Sequence, residues 1–328
     1  LILKFVILCP FGVRTGGPEA CLQLSDALLR SGFQAEIWWT QSQDFVAFQQ
    51  YLANAEDTQS FLLEARRHEF DEYRNYKYVP FTSYSRSDTL TFIIPEVYIS
   101  LVGLLCVKPI VVWWLSVDNA FGALAQVNMN LLRHPSIRHA VQSNYAKKFV
   151  NALGLNSSAL SDYTVVPAKT KIQISAVDKR PLKLALNAGG KVVSDLDFLS
   201  QLIKKEVPQA EIIRIAGLTR AEVYDAFASA RVFVDLGKFP GKDRMAREAI
   251  LLGANIIVAN SGAGAEKKDF AIEDIYRLNP FDYERLAKRA VHMLLHPAAH
   301  AKRFESVRAA VAAEKEEFRR EAVELALA

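Results

Sequence analysis

Residues 231–266 read RVFVDLGKFPGKDRMAREAILLGANIIVANSGAGAE. Val232 to Leu236 is a short apolar run, rich in β-branched residues and closed by Gly237, which is the pattern of a buried strand. Gly237, Pro240 and Gly241 form a loop that no helix tolerates. Asp243 to Leu252 has helical spacing, with Met245, Ala249 and Leu252 on one face. Asp243 suits the N-cap or the first turn, where a carboxylate meets free N–H groups, and Gly253 suits the position after the helix, where positive φ is easy. Asn255 to Ala259 predicts a second buried strand, and Asn260 to Gly264 a second flexible loop. Strand, basic glycine loop, helix and strand in this order imply an α/β unit.

A helix N-terminus beside a glycine loop is an anion site, because unpaired N–H groups and the helix dipole point the same way. Lys238, Lys242, Arg244 and Arg247 add positive charge at that end. The residues therefore predict a site for a doubly charged diphosphate. The plainer reading is a solvated basic loop.

Working outward, Leu182 to Asn187 predicts another strand, followed by the loop Ala188-Gly189-Gly190-Lys191 and a helix from Leu196 to Lys205. This second basic glycine loop also suits a phosphate, with Lys191 as a point charge. Glu211–Ala216 reads as a strand and Arg220–Ser229 as a helix. A strand at Ile275–Asn279, a helix at Tyr283–Leu295 and a long charged helical region over Ala298–Ala328 complete this half.

The first half opens with a strand at Leu3–Cys9, the loop Pro10–Gly17, a helix to about Arg30 and a strand at Gln34–Thr40. This is the start of a doubly wound sheet, without the GxGxxG and terminal acid of a dinucleotide fingerprint. Phe45–Tyr76 is polar with helical tendency. Phe70–Arg86 interleaves aromatic and basic residues, and reads as a membrane-interface or acceptor surface, or as an excursion whose rings pack on the core. Strands at Thr89–Ile94 and Pro109–Ser116 end beside Glu96 and Asp118. Ligands bind beyond the carboxyl ends of such strands, so either acid is a candidate general base, with a cap or turn role as the alternative. His139–Ser143 predicts a strand, Asn144 a cap for the helix Tyr145–Leu153, and Asn156–Arg180 an interdomain linker.

The opening stretch resembles the donor-binding region of GT-B glycosyltransferases, in which a glycine-containing loop leads to a helix beginning near a Glu-Ala pair and then to a strand. The matching residues are Arg247-Glu248-Ala249, Gly253 and Ile256–Ala259. PGKDR…REA…G and WWLSVDN resemble, more narrowly, bacterial surface-polysaccharide (capsule or lipopolysaccharide) transferases. Asp162-Tyr163 before Val165-Val166-Pro167 is similar to their crossover region. The resemblance implies two Rossmann-like doubly wound α/β domains facing a cleft. These would be residues 1–160 on the acceptor side, a linker at 161–180, a nucleotide-sugar domain at 181–302, and a helix at 303–328 packing back on the first domain.

It further implies metal-independent transfer, with no cofactor, from a nucleotide-sugar to a hydroxyl of a saccharide or glycolipid. Lys191, Lys238, Lys242 and Arg244 would hold the diphosphate around Gly241, with Lys242 and Arg244 stabilising the leaving nucleotide. Glu248 would hold the ribose, and Arg247 would be structural or a phosphate ligand. Gly16 and Gly17 would let backbone approach donor phosphate or acceptor, with a plain tight turn as the alternative. One position departs from the pattern. Retaining families carry a Glu eight residues before Glu248, where this chain has Pro240, so inverting and retaining outcomes both stand. An epimerase of the same fold and a non-catalytic nucleotide-sugar-binding protein are the competing functions.

The 328 residues suggest two domains, and 51% hydrophobic content supports sizeable cores. The net charge of +4 is too small to imply nucleic acid. Three cysteines without a CxxC pair predict buried thiols in a reducing compartment. His292, His296 and His300 are spaced for one helical face, but Pro297 interrupts it, and no metal site is expected. No run is long enough to span a membrane, so the expectation is a soluble, cytoplasmic protein, with peripheral contact at the inner membrane face as the reading that the Phe70–Arg86 stretch carries.

Overall fold

The computed structural model describes residues 4–54, 56, 59–67, 70–166, 176–190, 192 and 194–328. The chain divides into two compact units, residues 1–162 with 316–328, and residues 163–315.

In the first unit the strands are β1 (Lys4–Pro10), β2 (Gln34–Thr40), β3 (Ser60–Leu62), β4 (Val79–Pro80), β5 (Ser83–Ser85), β6 (Leu90–Pro95), β7 (Ile110–Trp114), β8 (Ile137–Val141) and β9 (Ser158–Ala159). Seven of them form a sheet in the order β4-β2-β1-β6-β7-β8-β9, with every pairing parallel. The antiparallel pair β3–β5 stands apart. The helices are α1 (Gly16–Arg30), α2 (Ser42–Asn54), the short α3 (Val102–Leu105), α4 (Phe121–Leu124) and α5 (Met129–Leu132), and α6 (Asn144–Ala152).

The central strands are apolar throughout because both faces of a parallel sheet are covered. All five residues of β7, IVVWW, are buried. Trp114 donates its indole N–H to His139 Nδ1 at 3.2 Å, which leaves Nε2 as the donor to the Leu132 carbonyl at 2.9 Å. Burial lowers the pKa of His139, which favours this neutral ring. Residues 316–328 complete the unit. Phe318 is fully buried, with its ring stacked 6.4 Å from Trp113, and Glu321 accepts from the Ser161 backbone and hydroxyl at 2.7 and 2.6 Å.

In the second unit the strands are β10 (Lys183–Asn187), β11 (Glu211–Ile215), β12 (Val232–Asp235), β13 (Asn255–Ala259) and β14 (Arg277–Leu278). They form a parallel sheet in the order β11-β10-β12-β13-β14. The helices are α7 (Leu196–Glu206), α8 (Arg220–Ser229), α9 (Arg244–Leu251), α10 (Gly262–Ala265), α11 (Tyr283–Leu295), α12 (Pro297–Ala301) and α13 (Glu305–Leu327), which runs on into the first unit. Each unit is thus a doubly wound α/β sheet of Rossmann type.

Several local expectations need correction. The helical tendency over Phe45–Tyr76 is met by α2 up to Asn54, after which the described residues form β3 and a single 3-10 turn at Asp71–Tyr73. In the Phe70–Arg86 run, by contrast, Tyr73, Phe81 and Tyr84 are buried, in keeping with the reading in which its rings pack on the core. The cap of α6 is Ser143, whose side chain accepts from Ala146 N, and Asn144 is its first helical residue. Cys9 and Cys21 are buried, but Cys106 is exposed after α3, because Val102 and Leu105 turn inward instead. The region after Ala298 is broken, with α12 and a 3-10 turn at Lys302–Phe304 before α13. No described helix is long and apolar enough to cross a membrane.

Candidate functional site

The two glycine loops predicted to take phosphate leave the carboxyl ends of neighbouring strands, β10 and β12. Buried side chains at those ends tie them together. Asp235 accepts at Oδ1 from Asn187 Nδ2 at 2.9 Å and from Gly237 N at 3.0 Å. Asn187 Oδ1 in turn accepts from Gly189 N at 3.0 Å. A β-bridge between Val192 and Gly237 adds a backbone link. Asn187 and Asp235 are 8% and 1% exposed, so this polar pair sits in the sheet rather than in solvent. A buried carboxylate oxygen that accepts two such bonds holds its neighbours in one geometry. Lys191 lies outside the described residues.

The β12 loop runs into α9 as the sequence predicts. Asp243 is the N-cap and accepts from Met245 N at 3.0 Å. At the other end, Gly253 has φ +83°, Gly253 N donates to Ile250 O and Ala254 N to Ala249 O. These two bonds make a Schellman motif, which accounts for the glycine. The stretch Asn260–Gly264, read as a flexible loop, is instead the packed turn α10. Ala263 N donates to Phe239 O at 2.8 Å, and a Cβ on Gly262 would stand 2.0 Å from that oxygen. The turn therefore braces the basic loop from below.

The cations at this loop divide into groups. Lys238 is exposed, and Arg244 is half-buried in the first turn of α9. Arg247 is 1% exposed and donates to Glu314 at 2.8 Å, and also to Lys242 O at 2.8 Å. Lys242 Nζ lies 2.5 Å from the other Glu314 oxygen. The buried Glu314 of α13 thus gathers Lys242 and Arg247 from the loop and the helix. Gly241 is buried beside them.

Glu248 lies in a pocket of donors. Its Oε1 stands 3.2 Å from Arg220 Nη2, 3.2 Å from Thr164 Oγ1 and 3.3 Å from the Tyr224 hydroxyl. Burial, and then the adjacent carboxylate, push the Tyr224 phenol up to about 12, so it stays a donor. Arg220, Thr164 and Tyr224 were not singled out from the sequence. Only the strand order brings α8 beside α9, although Thr219-x-x-Glu222 announces the start of α8 as a capping box.

In the first unit, Gly16 and Gly17 form the first turn of α1, whose N-cap Thr15 makes no side-chain cap bond. A Cβ on Gly17 would meet nothing within 4 Å, so packing alone does not require that glycine. Glu96 and Asp118 follow the adjacent strands β6 and β7 but differ sharply. Glu96 is 2% exposed, accepts from Leu115 N at 2.9 Å, and burial pushes its carboxyl up to about 7. Asp118 is half-buried and accepts from the Tyr145 hydroxyl at 3.2 Å. His292 and His300 form a hydrogen-bonded chain with Tyr276, with His292 Nδ1 to His300 Nε2 at 2.8 Å and His300 Nδ1 to the Tyr276 hydroxyl at 2.6 Å.

No protein-family model matches the chain, and no curated protein matches it in sequence. Solved structures match it over nearly its whole length. TarM from S. aureus, crystallised as a point mutant with fondaparinux, α-GlcNAc-glycerol and UDP, aligns at TM-score 0.67 and 9% identity, covering 100% of both chains. Sucrose-phosphate synthase from Thermosynechococcus elongatus aligns at TM-score 0.62 and 13% identity, covering 98% of each chain. The E. coli trehalose-6-phosphate protein bound to UDP-2-fluoroglucose aligns at 0.61 and 10% identity, covering 98% of this chain and 99% of that one. At such identities the likeness is one of fold, and the chain has the GT-B fold, built from two Rossmann-type units.

Proposed function

We propose that this protein is a glycosyltransferase that moves a sugar from a nucleotide-sugar to a hydroxyl of a saccharide or glycolipid. The observation that carries the reading is the pair of glycine loops at the ends of β10 and β12, tied by Asn187 and Asp235 and followed by the N-terminus of α9. The N-terminus of α9, with its helix dipole, follows the β12 loop that carries Lys238, and Arg244 is its first residue, a setting that suits a diphosphate. Solved structures of the same fold that contain UDP or a UDP-sugar support the ligand class.

In the reaction, the bond from the sugar C1 to the diphosphate oxygen breaks and the electron pair leaves with the nucleotide. The acceptor oxygen bonds to C1, and its proton passes to a base. Arg244 and the loop N–H groups, with Lys191, stabilise the charge that grows on the leaving group. Lys242 and Arg247 act one step back, because Glu314 holds them and they in turn shape the loop. Glu248, oriented by Arg220, Thr164 and Tyr224, takes the ribose hydroxyls. Asp118 is the preferred base, since a base must reach the acceptor proton and Glu96 is buried behind Leu115. Leaving-group charge is met by these groups without a metal ion, so EDTA should leave turnover unchanged.

The deciding experiment is a thermal-shift screen with UDP, GDP, CMP and TDP and their sugars. A ligand that binds the native state raises the melting temperature by mass action. A shift with one nucleotide that is lost in Arg244→Ala is the expected result. No shift with any of them removes the proposal.

A further inference from the structure

Transfer as proposed uses Asp118 and leaves Glu96 idle, although the two acids follow adjacent strands. Glu96 opens the 3-10 turn Glu96–Leu101, and Asp118 lies in the 3-10 turn Val117–Ala120. These turns pack on each other. Glu96 Oε2 accepts from Leu115 N at 2.9 Å. Its own N–H, the Ser116 backbone and the Asn119 side chain also donate to the carboxylate. Asn119 N in turn donates to Ser116 O at 2.9 Å, which closes the turn. Glu96 therefore holds residues on both sides of Asp118. Val117 and Ala120 are fully buried, while Asp118 stays half-buried and accepts from the Tyr145 hydroxyl at 3.2 Å.

Burial and hydrogen bonding pull the Glu96 carboxyl in opposite directions. Burial favours the neutral acid and the donors favour the anion. Burial wins, pushing the pKa from the ordinary 4.5 up to about 7. No neighbouring charge among the described residues contributes. The elements that pack most closely on the Glu96 turn, β6, β7, α3 and α4, carry no titratable side chain. The turn itself carries Tyr98, which burial keeps neutral. The facing turn carries Asp118, with Tyr145 of α6 bonded to it. Helix α2 meets Tyr98 through Phe45, and its Asp44 is paired with Arg66.

A carboxyl that titrates near 7 when covered and near 4.5 when hydrated holds its proton more tightly in the covered state. Rising pH therefore favours any state in which the Asp118 turn lifts and water reaches Glu96. Between pH 6 and 8 this one group raises the lifting equilibrium about tenfold. Below that range the neutral carboxyl still accepts from Leu115 N. Its O–H has a partner in the Asn119 amide, which offers a carbonyl as well as an NH2 group.

We infer that Glu96 is a positioning residue for Asp118: neutral, it holds the segment Leu115–Asn119 down on the strand ends, and charged, it drives that segment to lift, so that turnover falls as Glu96 ionises. The effect on turnover rests on the transferase reading. The hold of Glu96 on the segment does not.

The test compares the full-length parent with Glu96→Gln, which stays neutral and keeps the shape of the acid. Amide exchange is followed by mass spectrometry at pH 6 and 8, with each rate divided by the intrinsic rate at that pH. Protection of a peptide spanning residues 113–120 should fall about tenfold in the parent over this range and stay level in the variant. A peptide from β10 should not follow it, which separates local lifting from global unfolding. Nucleotide release from UDP-glucose, GDP-mannose and TDP-glucose, with water as acceptor, supplies the second readout. The parent's kcat should fall above pH 7, while Glu96→Gln holds its rate and exceeds the parent several-fold at pH 8, with the same KM for the donor. Protection that ignores pH in the parent, or changes alike in both proteins, overturns the inference whatever the turnover. A variant that is protected but inactive at every pH also overturns it, because Glu96 would then be the base itself. Where the variant does not fold, the parent's own loss of protection with pH decides. A pH-dependent hold in a protein that releases no nucleotide from any donor overturns the effect on turnover, together with the transferase reading, and leaves the hold standing.

Discussion

Single side chains carry the chemistry, and Glu96 shows how far burial changes one. Its folded-state carboxyl keeps a proton between pH 4.5 and about 7, where the unfolded chain has already lost it. The native state therefore binds more protons in that window, and this group's contribution to stability falls as pH rises through it. Glutamine at this position stays neutral and can still accept from Leu115 N. Glu96→Gln should gain stability relative to the parent from pH 4.5 to 7, by a few kcal/mol at about 1.4 kcal/mol per unit. Melting curves at pH 5 and 8 measure this, and a difference that shrinks with pH would contradict it. Asp118 separates from Glu96 on function. Asp118→Asn should cut turnover by roughly 10²-fold or more, the scale of general-base catalysis, while the nucleotide-induced thermal shift persists. Equal turnover in both proteins would remove Asp118 as the base. Both acids were legible in the sequence as strand-end residues. Their difference in burial was not, because it depends on how the segments after β6 and β7 fold over each other.

Elements behave as braces for loops and for one another. Arg180 is 2% exposed, and its guanidinium donates to Phe227 O at 3.1 Å, Ala230 O at 2.7 Å and Leu252 O at 2.6 Å. These carbonyls end α8 and α9, where a cation meets the negative end of each helix dipole. Burial still lowers its pKa to about 10. Arg180→Met would leave three carbonyls without this donor, and should cost on the order of 3 kcal/mol in urea unfolding. A change below about 1 kcal/mol would show that water replaces the guanidinium. The α10 turn makes a second case. Gly262 has φ +52° and no room for a Cβ against Phe239 O. Gly262→Ala should displace the Phe239 loop and weaken the nucleotide shift, beyond a backbone cost of about 1–3 kcal/mol. Parental nucleotide affinity in that variant would show that the turn does not support the loop. The sequence marked 260–264 only as glycine-rich, and that pattern does not separate a flexible loop from a tightly packed turn. The difference lies in Phe239, which arrives from the loop after another strand.

At the scale of the molecule, residues 316–328 belong with the first unit although the sequence reaches them last. Phe318→Ala should destabilise the protein by about 3–5 kcal/mol, the range for emptying a buried aromatic site, with nucleotide affinity retained. Loss of the nucleotide shift without loss of stability would contradict this division of labour. The amino-acid pattern alone determined the central strands of both sheets, most helices, the helix-end roles of Asp243 and Gly253 and the two basic glycine loops, while the short strands β3, β4, β5 and β9 escaped it. Apolar period, glycine placement and cap chemistry are local, so neighbouring residues suffice to encode them. Tertiary structure alone decided which cations stay near the loop surface and which pair with Glu314. It also placed Arg220, Thr164 and Tyr224 around Glu248, and joined Asn187 to Asp235. Those contacts link residues dozens of positions apart, and only the order of strands in the sheet and the packing of helices on it bring them within hydrogen-bond reach.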